Sequence, residues 1–593
     1  TGTTAQISSK EIENRPLINV NNALTGVAPG IQTTAGGGQP GTGPSIRIRG
    51  FGSINASNDP LYVVDGVPYD GSIANLNVND IETISVLKDA ASAALYGSRA
   101  ANGVVMVTTK KGRRNTTRFT LGVTQGISSR AIPEYDRVNA FEYYPLMWEA
   151  LRNALAYSGT TPLPTASQNA TNTIFNQLRY NPFNVPNNEI VDVNGKINPN
   201  AKLKWADDLD WTDELLRLGN RQDYSMVLSG GAQKTDYFLS LGYTDEKGFI
   251  IRSDYRRITG RMNINSQPVN WFRTGVNISG TITKSNQASD DGSTSYVNPF
   301  YGTRTIASIY PVYAHDPVTG EYLLDATGKR YYDLGANRPV YNGRHPIQET
   351  KLNENNFKRN VLSARAYGEL IFTPWLKFTT NISTDITDNL NATYENKIVG
   401  DGAPGGRARR RATKTTSYTF NQLLNFSQKF GNHSIEALVG HENYDYTYNF
   451  LDGFRNGQIV DGVSELANFT TTSTLNSYVD RATIESWLSR VNYSFNDKYL
   501  LSASYRRDGN SRFSDKVRWG NFWSVGAGWR VDQEEFMNPV TWVDQLKLRA
   551  SYGTVGNDNG IGLYPFRALY NIASNASEPG FLQASFENKD LSW

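Results

Sequence analysis

"PSIRIRGFGSINASNDPLYVVDGVPYDG", residues 44–71, carries two signals at once. Ile46 and Ile48 alternate with Arg47 and Arg49, so two guanidinium groups are expected two residues apart on one face of a strand. An apolar run, Leu61 to Val64, then stops at Asp65-Gly66, a dipeptide suited to a tight turn. A guanidinium with little water around it is costly unless paired, so the arrangement calls for carboxylates close by.

The surroundings of this stretch form one unit, residues 1–112, of α+β character. A short helix is expected around Val20–Leu24, closed by Gly26. A second is expected in "LKDAASAALYG", 87–97, with Asp89 near its start, alanines inside and Gly97 at its end. "GVVMVTTKKG", 103–112, reads as a buried strand, and the basic tract "KKGRRNTTR" connects onward.

Beyond it, from 113 to 593, period-2 alternation dominates. Phe272, Val276, Ile278 and Ile282 share one face, opposite Arg273, Asn277, Ser279 and Thr281. Leu362, Ala364, Ala366, Leu370 and Phe372 oppose Ser363, Arg365, Tyr367 and Glu369; Trp523, Val525, Ala527 and Trp529 repeat the pattern. A lipid-facing barrel and a half-solvated soluble sheet produce the same alternation. The links separate them. Strands are expected near 117–129, 221–231, 236–246, 255–266, 271–284, 356–372, 375–390, 413–428, 434–450, 478–494, 499–507, 521–532 and 544–554. Tight links tend to alternate with long ones, as in outer-membrane barrels with short periplasmic turns and long external loops. The fold class expected is an all-β transmembrane barrel of antiparallel strands preceded by the α+β domain. Thirteen strands is an odd number, and single-chain bacterial barrels close with an even one, so an incomplete barrel is expected.

Composition narrows the chemistry. The chain has 593 residues, a net charge of +3 and 19% charged residues, which gives no basic field for nucleic acid. There is no cysteine, and the four histidines form no ligand-spaced pair, so neither a thiolate nor a zinc site is expected. Mean hydropathy is −0.49, and no stretch is apolar for long enough to make a membrane helix. No Gly-x-Ser-x-Gly element or paired acid/base set points to an enzyme, and no cofactor is called for. The glycine run "AGGGQPGTGP", 35–44, fits neither phosphate-loop spacing and reads as a plain loop.

"SIRIRGFGSINASNDPLYVVDGVPYDG" and "LKDAASAALYGSRAANGVVMVTTKKG" closely resemble the plug of the SusC/RagA-like TonB-dependent outer-membrane transporters. "LSGGAQKTDYFLSLGYTDEKGFI", "YRRDGNSRF" and "LKLRASYGTVGN" carry the resemblance through the barrel. It implies a plug seated in a barrel of 22 strands, in the outer membrane of a Gram-negative bacterium amid its lipid and lipopolysaccharide. It also implies import of glycan or peptide cargo with a SusD-like surface lipoprotein, driven by the TonB–ExbB–ExbD energy complex. Against that pattern, a signal peptide, a small regulatory-like domain, a TonB box and the C-terminal strands are expected to lie outside these 593 residues. Two alternatives stay open: a docking or binding subunit that does not pump, and a siderophore-type importer.

Two groups of site residues follow. The resemblance implies that Arg47 and Arg49 face carboxylates, with Glu369 and Glu485 as lumen-facing candidates on the wall and Asp65 within the plug. Whether such pairs gate transport or only hold the plug is open. In the loop 130–220, "NAFEYYPLMWEALRNALAY" is expected to be an amphipathic helix, and "WADDLDWTDE" gathers Asp207, Asp208, Asp210, Trp211 and Asp213. That cluster is a candidate contact for cargo or partner, because Trp stacks on sugars and carboxylates bind hydroxyls or cations; helix capping with a Trp packed into the barrel mouth is the favoured explanation. Its spacing is not that of a calcium loop. "GGRARRRA", 405–412, is expected in an external loop.

Overall fold

The computed structural model describes the chain except residues 1–3, 14, 16, 18, 28, 35–37, 55–56, 89–93, 158–160, 206–208, 289–297, 337, 559 and 576–577. Asp207, Asp208, Asp89 and the first glycines of the 35–44 run therefore lie outside the described residues.

The N-terminal unit is built on strands β1 (Thr4–Ser8), β2 (Ile31–Thr34), β3 (Ser45–Ile48), β4 (Leu61–Val64), β5 (Val67–Pro68), β6 (Ile81–Leu87) and β7 (Val104–Thr109). Five of them form one sheet in the order β1-β6-β7-β4-β5, with β4 and β7 parallel and the other pairs antiparallel. Ile7, Val20, Ile46, Val64, Ile84 and Val105 meet in its core. β2 and β3 form a separate hairpin. "LKDAASAALYG" ends in a 3-10 segment, Ala94–Ala100, that is kinked at Gly97.

Thirteen further strands follow in chain order. They are β8 (Thr116–Ser128), β9 (Gly219–Gly231), β10 (Thr235–Lys247), β11 (Asp254–Val269), β12 (Phe272–Asn286), β13 (Glu354–Thr373) and β14 (Leu376–Glu395). The row continues with β15 (Arg407–Phe430), β16 (His433–Gln458), β17 (Phe469–Phe495), β18 (Tyr499–Asn510), β19 (Trp519–Arg530) and β20 (Lys547–Gly553). Each pairs antiparallel with its neighbour in sequence, giving one thirteen-stranded wall. A separate hairpin, β21 (Leu569–Asn575) and β22 (Glu578–Ser585), stands apart from it. The wall is not closed into a barrel among the described residues; β8 and β20 are its two edges.

Burial along the wall decides between a membrane and a soluble sheet. On β10 and β11, Ser240, Thr244, Arg257, Thr259, Arg261 and Asn263 are buried, while Leu239, Leu241, Tyr243 and Ile258 are exposed. Apolar residues face out and polar ones face in, the inverse of a soluble sheet and the arrangement of a lipid-facing wall with a plugged lumen. No helix is long and apolar enough to cross a membrane, which says nothing about strands.

One expectation about the loops changes. "GGRARRRA" is not a loop beyond Gly406: Arg407–Arg411 open β15 and pair with β14 and β16. Above the lipid-facing band both faces of a strand are polar, so alternation disappears while the ladder continues. Arg407 Nε donates to Glu395 Oε2 at 2.7 Å, and Arg409 Nε to Asp452 Oδ1 at 2.7 Å. The long loops also pack on one another. A helix at Ala140–Tyr157, a second at Leu163–Leu178 and segments of the 287–353 link share a core of Tyr144, Trp148, Ile174, Phe183, Trp211 and Ile309. They form a structured cap at the long-loop end of the wall.

Candidate functional site: the interface between plug and wall

The β4–β5 turn holds the first contact. Asp65 and Gly66 both have positive φ, 50° and 86°, as a tight two-residue hairpin turn requires. The turn aims the Asp65 carboxylate at the wall. Oδ1 accepts the Thr109 backbone N–H at 2.9 Å; Oδ2 accepts the Thr109 hydroxyl at 2.6 Å, Asn277 Nδ2 at 2.7 Å and Arg261 Nη2 at 3.2 Å. Arg261 also donates to the Thr109 hydroxyl. Two plug strands and two wall strands thus meet at one carboxylate.

Next to it, β11 and β12 hold the following plug segment by its backbone. Arg257 Nη1 donates to the Ala74 carbonyl at 3.1 Å, and the Thr281 hydroxyl to the Asn75 carbonyl at 3.0 Å. Asn77 Nδ2 reaches the Thr259 hydroxyl at 3.3 Å.

A second cluster lies against β16 and β18. Arg99 Nη2 meets Asp70 Oδ1 at 2.5 Å, its guanidinium lies 4.6 Å from the centre of the Tyr444 ring, and the Tyr444 hydroxyl donates to Asp70 Oδ2 at 2.8 Å. Burial works against the Arg99 cation, but Asp70 foremost among its neighbours holds its pKa above the usual value. Arg506 donates to the Leu95 carbonyl at 2.8 Å, to Glu442 at 2.9 Å and to Asp508 at 2.6 Å. Asp508 Oδ2 in turn accepts the Ser98 N–H at 3.3 Å. This contact needs Gly97: with φ +59° and ψ −135°, an added Cβ would stand 2.1 Å from Asp508 Oδ2.

The residues singled out from sequence fall differently. Asp65 is at the interface, but its cation comes from the wall, not from the IRIR motif. Arg47 pairs with Asp59 of the plug at 2.5 Å. Arg49 does not share its face, because β3 ends at Ile48 and Arg49 turns into left-handed backbone with φ 58°. Glu369 does face the lumen, but it pairs with Arg273 of the adjacent strand at 3.2 Å, and the plug arginines do not reach it. Glu485 faces out rather than in. Ser486, its neighbour, turns inward to Arg506, while Glu485 sits beside exposed Trp487 and takes His441 at 3.3 Å.

In the cap, Asp210 and Trp211 are structural. Asp210 caps the helix Trp211–Leu215 by accepting the Thr212 N–H at 2.8 Å. Trp211 is 0% exposed, donates to the Tyr310 carbonyl at 2.9 Å and lies against His345 and Arg338, so it offers no face to cargo. Asp213 is exposed at the cap surface, and its pKa is raised by partial burial and by Asp210. No group of three metal-ligating side chains occurs among the described residues.

Arg257, Arg261, Arg506 and Asp508 were missed in the sequence. Their signal is a charge on the lumen-facing phase of a strand: Arg257, Thr259, Arg261 and Asn263 alternate with Ile258, Met262 and Ile264.

An α+β plug held by ion pairs against an apolar-outside antiparallel wall defines the plugged outer-membrane barrels. The sequence model of the TonB-dependent Receptor Plug Domain matches residues 1–104. The whole chain aligns at 28% identity with TonB-dependent receptor SusC of Bacteroides thetaiotaomicron and with TonB-dependent receptor P39 of Formosa agariphila, covering 56% and 51% of their lengths. In structure it resembles the RagAB peptide transporter, with a TM-score of 0.80 at 27% identity, over all of this chain and 64% of that one. The chain therefore spans little more than half the length of the relatives it matches. In sequence and in fold it resembles the SusC/RagA-like TonB-dependent transporters.

Proposed function

We propose that this chain supplies the plug and much of the wall of an importer in the outer membrane of a Gram-negative bacterium. Its cargo is a bulky glycan or peptide. A SusD-like lipoprotein serves as surface partner, and the TonB–ExbB–ExbD complex supplies the energy. The carrying observation is the chemistry of the interface: the plug is held through Asp65, Asp70, Arg99, Arg261 and Arg506 rather than through an apolar core. Ion pairs and hydrogen bonds can be exchanged for water when the plug moves, whereas an interdigitated apolar core resists such movement.

The RagAB peptide transporter, a structural relative, supports the peptide class; the glycan class rests on the resemblance of the plug motifs to the SusC-type family. Uptake of labelled oligosaccharides and oligopeptides by cells carrying the complete protein, with and without TonB, tests the reading. Loss of uptake on TonB deletion is expected. Unchanged uptake, or binding without uptake, favours a docking subunit instead. Mass spectrometry of cargo that co-purifies with the protein separates glycan from peptide.

A further inference from the structure

The outward face of the wall carries a charge pattern that the plug interface does not use. Arg256 of β11 lies directly opposite Lys284 of β12, and Lys284 directly opposite Lys358 of β13. All three are exposed, so three cations form one row across three adjacent strands. Like charges set opposite each other on a sheet face repel. Asp245 relieves one of them, at 2.8 Å from Arg256 Nε. Lys284 and Lys358 have no acidic partner within ion-pair distance among the described residues.

The height of the row matters. One outward step toward the tight turns, Ile258 lies opposite Ile282, and these side chains are 52% and 47% exposed. Lys284 is twelve residues along β12 from Phe272, the strand's first residue after the tight turn. At roughly 2.5 Å of height per residue for a tilted strand, the row stands about 30 Å above that turn, at the upper rim of an apolar band about 25 Å tall. Above it are the long loops, on the external side. A groove of about 430 Å³ runs along the row, lined by Asp245, Arg256, Lys284, Lys358, Leu390 and Asp254, the last of these paired with Arg217 at 3.1 Å.

We propose that this row binds the phosphates of an anionic lipid in the outer leaflet, with acyl chains running down over Ile258 and Ile282. Two uncompensated cations match a headgroup with two phosphates, and the adjoining apolar band selects a lipid over a free anion. The inference rests on the outer-membrane reading above, but not on transport.

The test uses the complete protein, purified in detergent and given bisphosphorylated lipid A or, separately, inorganic phosphate, with occupancy read by native mass spectrometry. Lys284→Gln/Lys358→Gln is expected to bind lipid A about tenfold more weakly than wild type, while Lys329→Gln on an external loop binds normally. Without lipid the double variant should melt higher than wild type, since the repulsion is gone, which separates lost binding from misfolding. Equal lipid A occupancy in the double variant and wild type overturns the proposal. So does displacement of the lipid by phosphate at equal concentration, or a dimer that only the wild type forms through this face. Charge-dependent lipid binding together with TonB-independent uptake would remove the import reading and leave this one standing.

Discussion

Asp65 Oδ2 of the plug lies 3.2 Å from Arg261 Nη2 of the wall, with Thr109 and Asn277 donating to the same carboxylate. The Arg261 side chain is 5% exposed and that of Asp65 15%. Removing one partner from a pair this enclosed strands the other, at a cost of about 3–5 kcal/mol. Asp65→Asn is therefore expected to loosen the plug and admit large antibiotics that wild type excludes. Arg261→Gln should do the same, and the double variant should be much less damaged than the sum of the two. Additive effects in that cycle, read by thermal melting and antibiotic sensitivity, would show that the pair does not hold the plug.

Gly97 seats the second cluster. Its backbone conformation is one that side chains avoid, and a Cβ there would collide with Asp508. Gly97→Ala is expected to cost about 1–3 kcal/mol in backbone strain and to push the Ser98 N–H away from Asp508. Hydrogen exchange at Ser98 should rise while exchange in β10–β13 stays unchanged. Asp508→Ala on the Gly97→Ala background removes the nearest collision but leaves the strain, the close approach to Arg506 and a Ser98 N–H without its acceptor, so thermal stability should recover in part while exchange at Ser98 stays raised.

Much of the wall was legible in the sequence because lipid imposes one requirement on every strand: apolar residues at every second position. Thirteen strands were expected, and thirteen are present in the wall, each overlapping its expected position. Where that requirement ends, so does legibility. Arg407–Arg411 sit above the apolar band with both faces polar, and read as loop although they are paired strand. The interface was half legible. A turn dipeptide marked Asp65, but its partner Arg261 is 196 residues away in sequence, and a single sequence carries no signal of which lumen-facing arginine meets which plug carboxylate. The IRIR motif misled for a local reason, since one positive φ at Arg49 ends the shared face.

Trp211 anchors the cap from inside. Its indole is enclosed by Tyr310, His345 and Arg338. Trp211→Ala should destabilise the cap by about 3–5 kcal/mol, as large-to-small changes in a packed core do. Asp213→Asn, at the cap surface, should leave its melting almost unchanged. If Trp211→Ala altered cargo affinity while hydrogen exchange across residues 140–178 stayed as in wild type, the aromatic would be a cargo contact after all.

His345 gives the cap a pH dependence of defined sign. Its Nδ1 accepts the Gln348 N–H at 3.1 Å, which leaves the proton on Nε2 to donate to the Val312 carbonyl at 2.8 Å. The ring is therefore held neutral. Burial first, and the nearby Arg338 cation as well, push its pKa from 6.5 down to about 3. In the unfolded cap the same ring takes a proton as pH falls through about 6.5. Between pH 6.5 and 3 the unfolded state thus binds more protons, and stability falls as pH falls. The loss reaches about 4–5 kcal/mol near pH 3 if no other group compensates. Above pH 7 the ring is neutral in both states and contributes no slope. Hydrogen exchange of residues 299–312 should accelerate as the pH drops from 7 to 5, after correction for intrinsic rates. His345→Gln cannot take up a proton, so it should flatten that dependence even though the variant starts out less stable. A slope that persists unchanged in His345→Gln would assign it to other groups, with the Asp316 carboxylate, whose pKa the Thr319 and Val318 backbone N–H groups lower, the next to examine.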